Sequence, residues 1–264
     1  MSHIEMPLVL FSVFSQTAIG LTLMSTGRQM AGEEFSGEAR KRWGLVLAFL
    51  ITGMVASFFH LGHPLQAYTA LKHLSSAWLS WELLGVSTFL CLALFGLFTE
   101  KTKKSGVVAF LAAGTGLFTL LFMGMTYAPP GYPALNNVLP MVFFLLSALL
   151  LGASFSAWFT APEERSWALR ILTVTLIVAL VVYLTVPCIW LSGGTVMEQT
   201  ARGWIASPLY WGRITAGLML PLLVIWKIKN IPLWLPLIIL AGELLGRVVF
   251  FKETVHAAAA IGVL

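Results

Sequence analysis

Apolar residues fall in blocks of near twenty, separated by short polar breaks, from one end of the chain to the other. An α-helix needs about 20 such residues to cross the ~30 Å hydrocarbon core of a bilayer. The blocks predict eight spans, at roughly residues 7–27, 43–61, 79–99, 106–127, 138–160, 167–191, 208–227 and 231–251. The least regular is 208–227, because Pro208 begins it and Arg213 falls in its first turns. Between spans there is no repeat of solenoid length, no low-complexity tract and no boundary to a soluble domain. The pattern therefore predicts an all-α integral membrane protein, a bundle of eight transmembrane helices, with 1–264 as a single polytopic domain.

Composition agrees with the pattern. Of 264 residues, 58% are hydrophobic and 10% are charged, against about 25% charged in an ordinary soluble domain; mean hydropathy is +0.88. The opening MSHIEM holds no Lys or Arg, and no Ala-x-Ala-like site follows the first apolar block. That block is therefore expected to stay as a helix rather than be removed as a leader. The net charge of +5 does not imply nucleic acid, which needs a basic stripe on a solvated domain; here the basic residues sit in short loops. Loops after odd-numbered spans carry Arg28, Arg40, Lys41, Arg42, Lys101, Lys103, Lys104, Arg165, Arg170, Lys227 and Lys229. The opposite side carries Lys72, Arg202, Arg213 and Lys252. The positive-inside rule puts the basic loops in the cytoplasm and both termini outside, which is the periplasm for a bacterial inner membrane protein.

The outward loops at 61–78, 128–137 and 192–207 are longer and carry Tyr68, Trp78, Tyr132 and Trp204. Leu65, Tyr68, Leu71 and Leu74 are spaced like one face of a short helix lying in the interface. These aromatics suit an ordinary interfacial belt, or a face that docks a hydrophilic partner. All five histidines, His3, His60, His63, His73 and His256, fall on this side, where imidazole can serve proton chemistry. Cys91 and Cys188 lie in separate spans without CxxC spacing, so no iron–sulfur or zinc site is expected from them.

Three constellations could carry chemistry. His60 ends the second span in ASFFHLGHP, before the helix stop of Gly62 and Pro64; it either complements the helix C-terminus or accepts protons at membrane depth. Glu82 opens the third span, where the helix dipole favours a carboxylate and Ser80 or Ser76 could supply an N-cap. An acid inside an apolar span costs about 3 kcal/mol on insertion scales and is a functional candidate by default. One outward loop joins the two spans, so His60 and Glu82 mark one edge of the bundle. An imidazole and a carboxylate at one level suit a quinol, whose hydroxyls must lose protons as its electrons leave. In the last span Glu243 and Arg247 are spaced i,i+4 and can pair on one helical face, with Gly242 and Gly246 allowing close helix approach. Tyr127, at the outward end of the fourth span, could bond a ligand or anchor the interface.

The runs FFHLGHPLQAY, LSWELL and AGELLGRVVFF, together with PLVLFSVFSQTAIG and LPMVFFLLSALLLG, resemble the membrane anchor subunit of dimethyl sulfoxide reductase, the DmsC-like family. The resemblance implies eight helices with both termini outside and oxidation of menaquinol near the outer face. It also implies two hydrophilic partners, a four-cluster ferredoxin-like iron–sulfur subunit and a molybdopterin catalytic subunit, and no haem or iron–sulfur cluster in the anchor itself. The family's essential histidine and acid match His60 and Glu82. The expected function is thus a quinol-oxidising anchor in anaerobic respiration, with His60 and Glu82 catalytic and Tyr127, Glu243 and Arg247 completing the quinol pocket. The competing readings are a haem-b anchor, for which two haems would need four histidines on facing helices, and a secondary transporter, which would favour inverted repeats.

Overall fold

The structure, a computed structural model, describes residues 5–31, 39–59, 64–99 and 105–260, with side chains omitted at 64–67, 259 and 260. The long helices are α1 (Met6–Met30), α2 (Ala39–Phe58), α3 (Trp78–Thr99), α4 (Ser105–Thr126), α5 (Leu139–Ser156) and α6 (Ser166–Trp190). They are followed by α7 (Thr195–Ala206), α8 (Pro208–Ile214), α9 (Leu220–Ile228), α10 (Leu235–Lys252) and the short α11 (Ala257–Ala260). A π-helical turn at Thr215–Met219 joins α8 to α9 in one continuous rod. No strand occurs among the described residues. Among the same residues seven helical rods are long and apolar enough to cross a membrane: α1 to α6 and Pro208–Ile228. The eighth expected span, α10, is helical over 18 residues but contains Glu243, Arg247 and Lys252.

Helices α1 and α5 form the centre. In each, 72% of the apolar window is buried, against 28% in α2. Lipid tails give apolar side chains little reason to leave them, so helices in a membrane associate through close backbone approach at small residues. Here Gly20 and Gly152 meet across the α1–α5 contact; a Cβ on Gly20 would run into the Ala148 carbonyl, and one on Gly152 into the backbone of Gly20. Four buried hydroxyls of α1, on Ser12, Thr17, Thr22 and Ser25, do not disturb this packing, because they donate to carbonyls of their own helix. Large apolar side chains line the outside instead, among them Phe95, Phe98, Phe118, Ile189 and Trp226. Such a surface would drive aggregation in water and is what a lipid-embedded bundle requires.

The two ends of the bundle are built differently. At the basic end, Arg165 donates to the carbonyls of Thr160, Ala157 and Ile231, tying the end of α5 to the segment before α10. Buried Arg28 donates to Thr160 and pairs with Glu164. Two of the residues counted for topology therefore also fasten this end of the bundle. A water-sized polar cavity lies at this end between α1, α2 and α4, lined in part by Thr22, Ser25, Gln29, Arg42 and Trp43.

At the opposite end, segment 192–207, expected as a loop, contains α7. Gly194, at φ +93°, turns the chain into it. The helix buries Thr200, Ala201 and Trp204 and carries an exposed Glu198–Arg202 pair on its other side. The interfacial helix expected from the spacing of Leu65, Tyr68, Leu71 and Leu74 is a 3-10 helix at Pro64–His73 that ends before Leu74, ten residues long where such helices commonly run to about three or four. Tyr68 and Leu71 on it are exposed.

The α1–α5 contact makes a direct prediction. Gly152→Ala should lower thermal stability in detergent by about 1–3 kcal/mol through overpacking. Gly114→Ala, where the added methyl meets open space, should be neutral or stabilising by up to about 1 kcal/mol.

Candidate functional site

Glu82 is the fifth residue of α3 and is only 3% exposed. The α3–α4 contact holds it there: one turn deeper, a Cβ on Gly85 would stand 2.6 Å from Thr119 Oγ1, so the two helices are nearly in backbone contact. Thr126, at the end of α4, lies within hydrogen-bonding reach of the carboxylate, while Oε2 has no partner among the described residues. Ser80 does not cap the helix through its hydroxyl; it donates to the Ala70 carbonyl at 2.6 Å and straps the 3-10 helix to the start of α3. Trp81 reinforces that strap by donating to Leu74, and its ring packs on Phe122 at 5.5 Å. His60 and His63 lie outside the described residues, as does His3.

Tyr127 follows α4 directly. Its ring meets Phe144, Phe250 and Phe251 edge-on at 5.6, 6.4 and 5.3 Å. It stands in electrostatic range of both Glu82 and Arg247, which makes it the group between α3 and α10.

The charges of α10 are arranged differently from the expected i,i+4 pair. Glu243 takes Arg213 of α8 as its ion-pair partner, each side chain 1% exposed. Arg247 reaches Glu243 through Ser147 of α5: it donates to Ser147 Oγ at 3.1 Å, and that hydroxyl lies 2.6 Å from Glu243 Oε2. Arg247 also donates to Gln16 Oε1 of α1 at 2.8 Å. Its guanidinium sits over the Phe144 ring at 4.1 Å and near Phe250 at 5.5 Å, while that of Arg213 faces Tyr183 at 5.1 Å. Four helices thus share one buried network of two guanidiniums, one carboxylate, one amide and one hydroxyl. Helical neighbours at i,i+4 can pair, but Glu243 has two oxygens and the geometry commits one to Arg213 and the other to Ser147.

Glycines make the room. A Cβ on Gly246 would stand 3.2 Å from Arg213 Cδ, and one on Gly217 would be 2.8 Å from Gly242 Cα and 3.3 Å from Arg213 Nη1. Gly217 belongs to the π-helical turn, so the widened turn and α10 meet at two glycines with the arginine laid along them. Gly242 and Gly246 therefore serve the close approach expected of them, with Arg213 as the group accommodated.

The structure brings Tyr127, Glu243 and Arg247 into one aromatic and ionic assembly beside Glu82. Sequence reasoning missed Gln16, Ser147, Thr126 and the role of Arg213. A charge tally would have found Arg213: two arginines and one glutamate within the last two apolar blocks demand a pairing between blocks.

Residues 1–199 match the family model for the DMSO reductase anchor subunit (DmsC). The sequence is 28% identical over 168 residues to the C subunit of the anaerobic dimethyl sulfoxide reductase of Haemophilus influenzae, covering 61% of this protein and 60% of that one. It is 26% identical over 162 residues to the YnfH subunit of an Escherichia coli anaerobic dimethyl sulfoxide reductase, covering 58% and 56%. It spans only those shares of these two relatives, whereas the match to the C subunit of the Escherichia coli anaerobic dimethyl sulfoxide reductase, at 25% identity, covers 94% of both proteins. Arg213, Glu243 and Arg247 lie beyond the stretch that the family model matches.

Removing one partner of a buried ion pair leaves the other charge without compensation, at a cost of about 3–5 kcal/mol. Arg213→Met and Glu243→Leu should each reduce accumulation in the membrane and thermal stability by that order. The double substitution should cost clearly less than the two single costs combined, and a double-mutant cycle on purified protein measures the coupling.

Proposed function

The chain belongs to the DMSO reductase anchor subunit (DmsC) family, and we propose that it oxidises menaquinol at Glu82 for a molybdoenzyme of the DMSO reductase type. The protein is a multi-pass inner membrane protein. On the proposed reading α10 is its eighth crossing and both termini are periplasmic, because the basic loops 100–104, 157–165 and 227–230 then lie in the cytoplasm. Glu82, Tyr127, α7 and His256 gather at the periplasmic side.

The observation that carries the reading is the Glu82 carboxylate, buried at the edge of an apolar bundle with one oxygen unpartnered among the described residues. Leaving a carboxylate there is expensive, and a ligand hydroxyl is the partner it lacks. Menaquinol is apolar apart from two hydroxyls, so it can enter between helices from the lipid and present one of them. Oxidation releases two protons and two electrons. Glu82, with His60, accepts or relays the protons. The electrons leave for an iron–sulfur cluster in a four-cluster ferredoxin-like partner, which passes them to a molybdopterin catalytic subunit. The 3-10 helix Pro64–His73, loop 128–137 and α7 supply the docking face, with exposed Tyr68 and Leu71 as apolar anchors.

Quinol-driven reduction of the terminal acceptor by the assembled complex tests the site. Glu82→Gln keeps the shape but removes the base, and should lower the rate by about 10²–10⁴-fold. Full activity in a His60→Ala, Glu82→Ala double substitution would place quinol oxidation elsewhere.

A further inference from the structure

The network of Gln16, Ser147, Arg213, Glu243 and Arg247 holds one positive charge more than its carboxylate balances. Both arginines are buried, at 1% and 3% exposure, and so is Glu243 at 1%. Four of its donors have no partner among the described residues: Arg213 Nε and Nη1, Arg247 Nε and Gln16 Nε2. Cation–π contacts with Tyr183, Phe144 and Phe250 offset part of this burial and fall short of what an uncompensated ion costs. For structure alone, an acid in place of Gln16 would complete the balance. The chain keeps an amide there and retains the excess charge.

Position gives that excess a use. Arg247 is five residues from the end of α10, about 8 Å along the axis at ~1.5 Å per residue. Glu82 is four residues from the start of α3, about 6 Å in by the same rise. Tyr127 packs on the rings of Phe144 and Phe250, the two rings that carry the Arg247 guanidinium. One continuous stack thus runs from the arginine to the tyrosine beside Glu82.

We propose that the excess positive charge of this network belongs to the quinol site, with Arg247 as a positioning residue that stabilises the site's single negative charge. The inference rests on the reading of Glu82 given above. Before proton transfer the negative charge is on the Glu82 carboxylate. When a quinol O–H bond breaks and its proton moves to Glu82, the charge is on the quinol oxygen. It departs with the first electron to the partner's iron–sulfur cluster, and the second electron leaves as the second hydroxyl gives up its proton to the periplasmic side. A guanidinium held at the same level favours both states, and low polarity lets it act beyond hydrogen-bonding distance.

Other ionisable groups around the path are few among the described residues; beyond α10, His256 packs edge-on against Tyr132. Tyr127 faces Glu82 from the end of α4, Lys72 and His73 lie exposed on the 3-10 helix that packs against α3, and α2 places Arg40, Lys41 and Arg42 at the far end. Tyr183 faces the network from α6, Tyr210 lies behind it on α8, and Lys252 with Glu253 closes α10. His60 and His63 lie outside the described residues.

Gln16→Glu provides the test, because it keeps the side-chain shape and gives Arg247 a true ion pair while cancelling the excess charge. The readout is the pH profile of quinol-driven acceptor reduction by the assembled complex, measured beside thermal stability. The base must be ionised, and losing a nearby positive charge disfavours ionisation. The rising limb should therefore move to higher pH, on the order of half a unit, with stability unchanged or raised. Arg247→Gln should move the limb the same way, and Arg247→Lys should restore it. An unshifted profile in a stable Gln16→Glu complex, while Glu82→Gln still abolishes activity, overturns this inference and leaves the quinol site standing. Retained activity in Glu82→Gln overturns the site itself.

Discussion

A charge inside a lipid-embedded bundle must find its compensation in the protein, since neither water nor hydrocarbon supplies it. That constraint organises the second half of this chain. Glu243 commits α10 to α8 through Arg213, and Arg247 commits it to α1 and α5 through Gln16 and Ser147. Helix α10 carries Glu243 and Arg247 within its length, and it is held by these ionic groups where α1 and α5 are held by fit. The glycines at 217, 242 and 246 follow from the same demand, because a guanidinium can lie between two helices only where side chains are missing.

The central α1–α5 pair obeys a complementary rule. Ser12, Thr17, Thr22 and Ser25 on α1 satisfy their hydroxyls along the helix, and the pair's glycines let the backbones meet. Gln16 reaches out of α1: its amide oxygen accepts from Arg247 and its nitrogen finds no partner among the described residues. The tightest apolar contact in the bundle therefore also supports one edge of the ionic network. Rigid backing of this kind keeps a guanidinium in place without a full set of hydrogen bonds, which is what electrostatic preorganisation requires.

The helical architecture was legible because hydropathy at bilayer length is a strong signal, and the boundaries of α3, α4 and α6 fell within a residue or two of the apolar blocks. Helix α7 was not legible. TVMEQTARGWIA is polar overall, and its buried side of Thr200, Ala201 and Trp204 needs α6 and α8 beneath it before the periodicity means anything. At the site, Glu82 stood out as an acid in an apolar run, whereas Thr126 became visible only when α4 was placed beside α3. The i,i+4 spacing of Glu243 and Arg247 pointed to the right helix face and the wrong partner. Spacing along one helix reports what can pair, and the choice between a neighbour and a helix across the bundle is made by tertiary packing.

The division of charge between α3 and α10 has a consequence for any ligand held at this end. If the network contributes one positive charge and Glu82 one negative, the two sum to zero while the carboxylate is ionised, and the sum stays zero when its charge passes to a quinol oxygen. Proton transfer then moves charge over a short distance without changing the total within the apolar end of the bundle. The costly event, a net charge surrounded by hydrocarbon, is confined to the moment of electron departure, when a docked acceptor is present to share it. On the proposed reading, this balance limits the net charge that the apolar end of the bundle must hold at each step before the electrons leave.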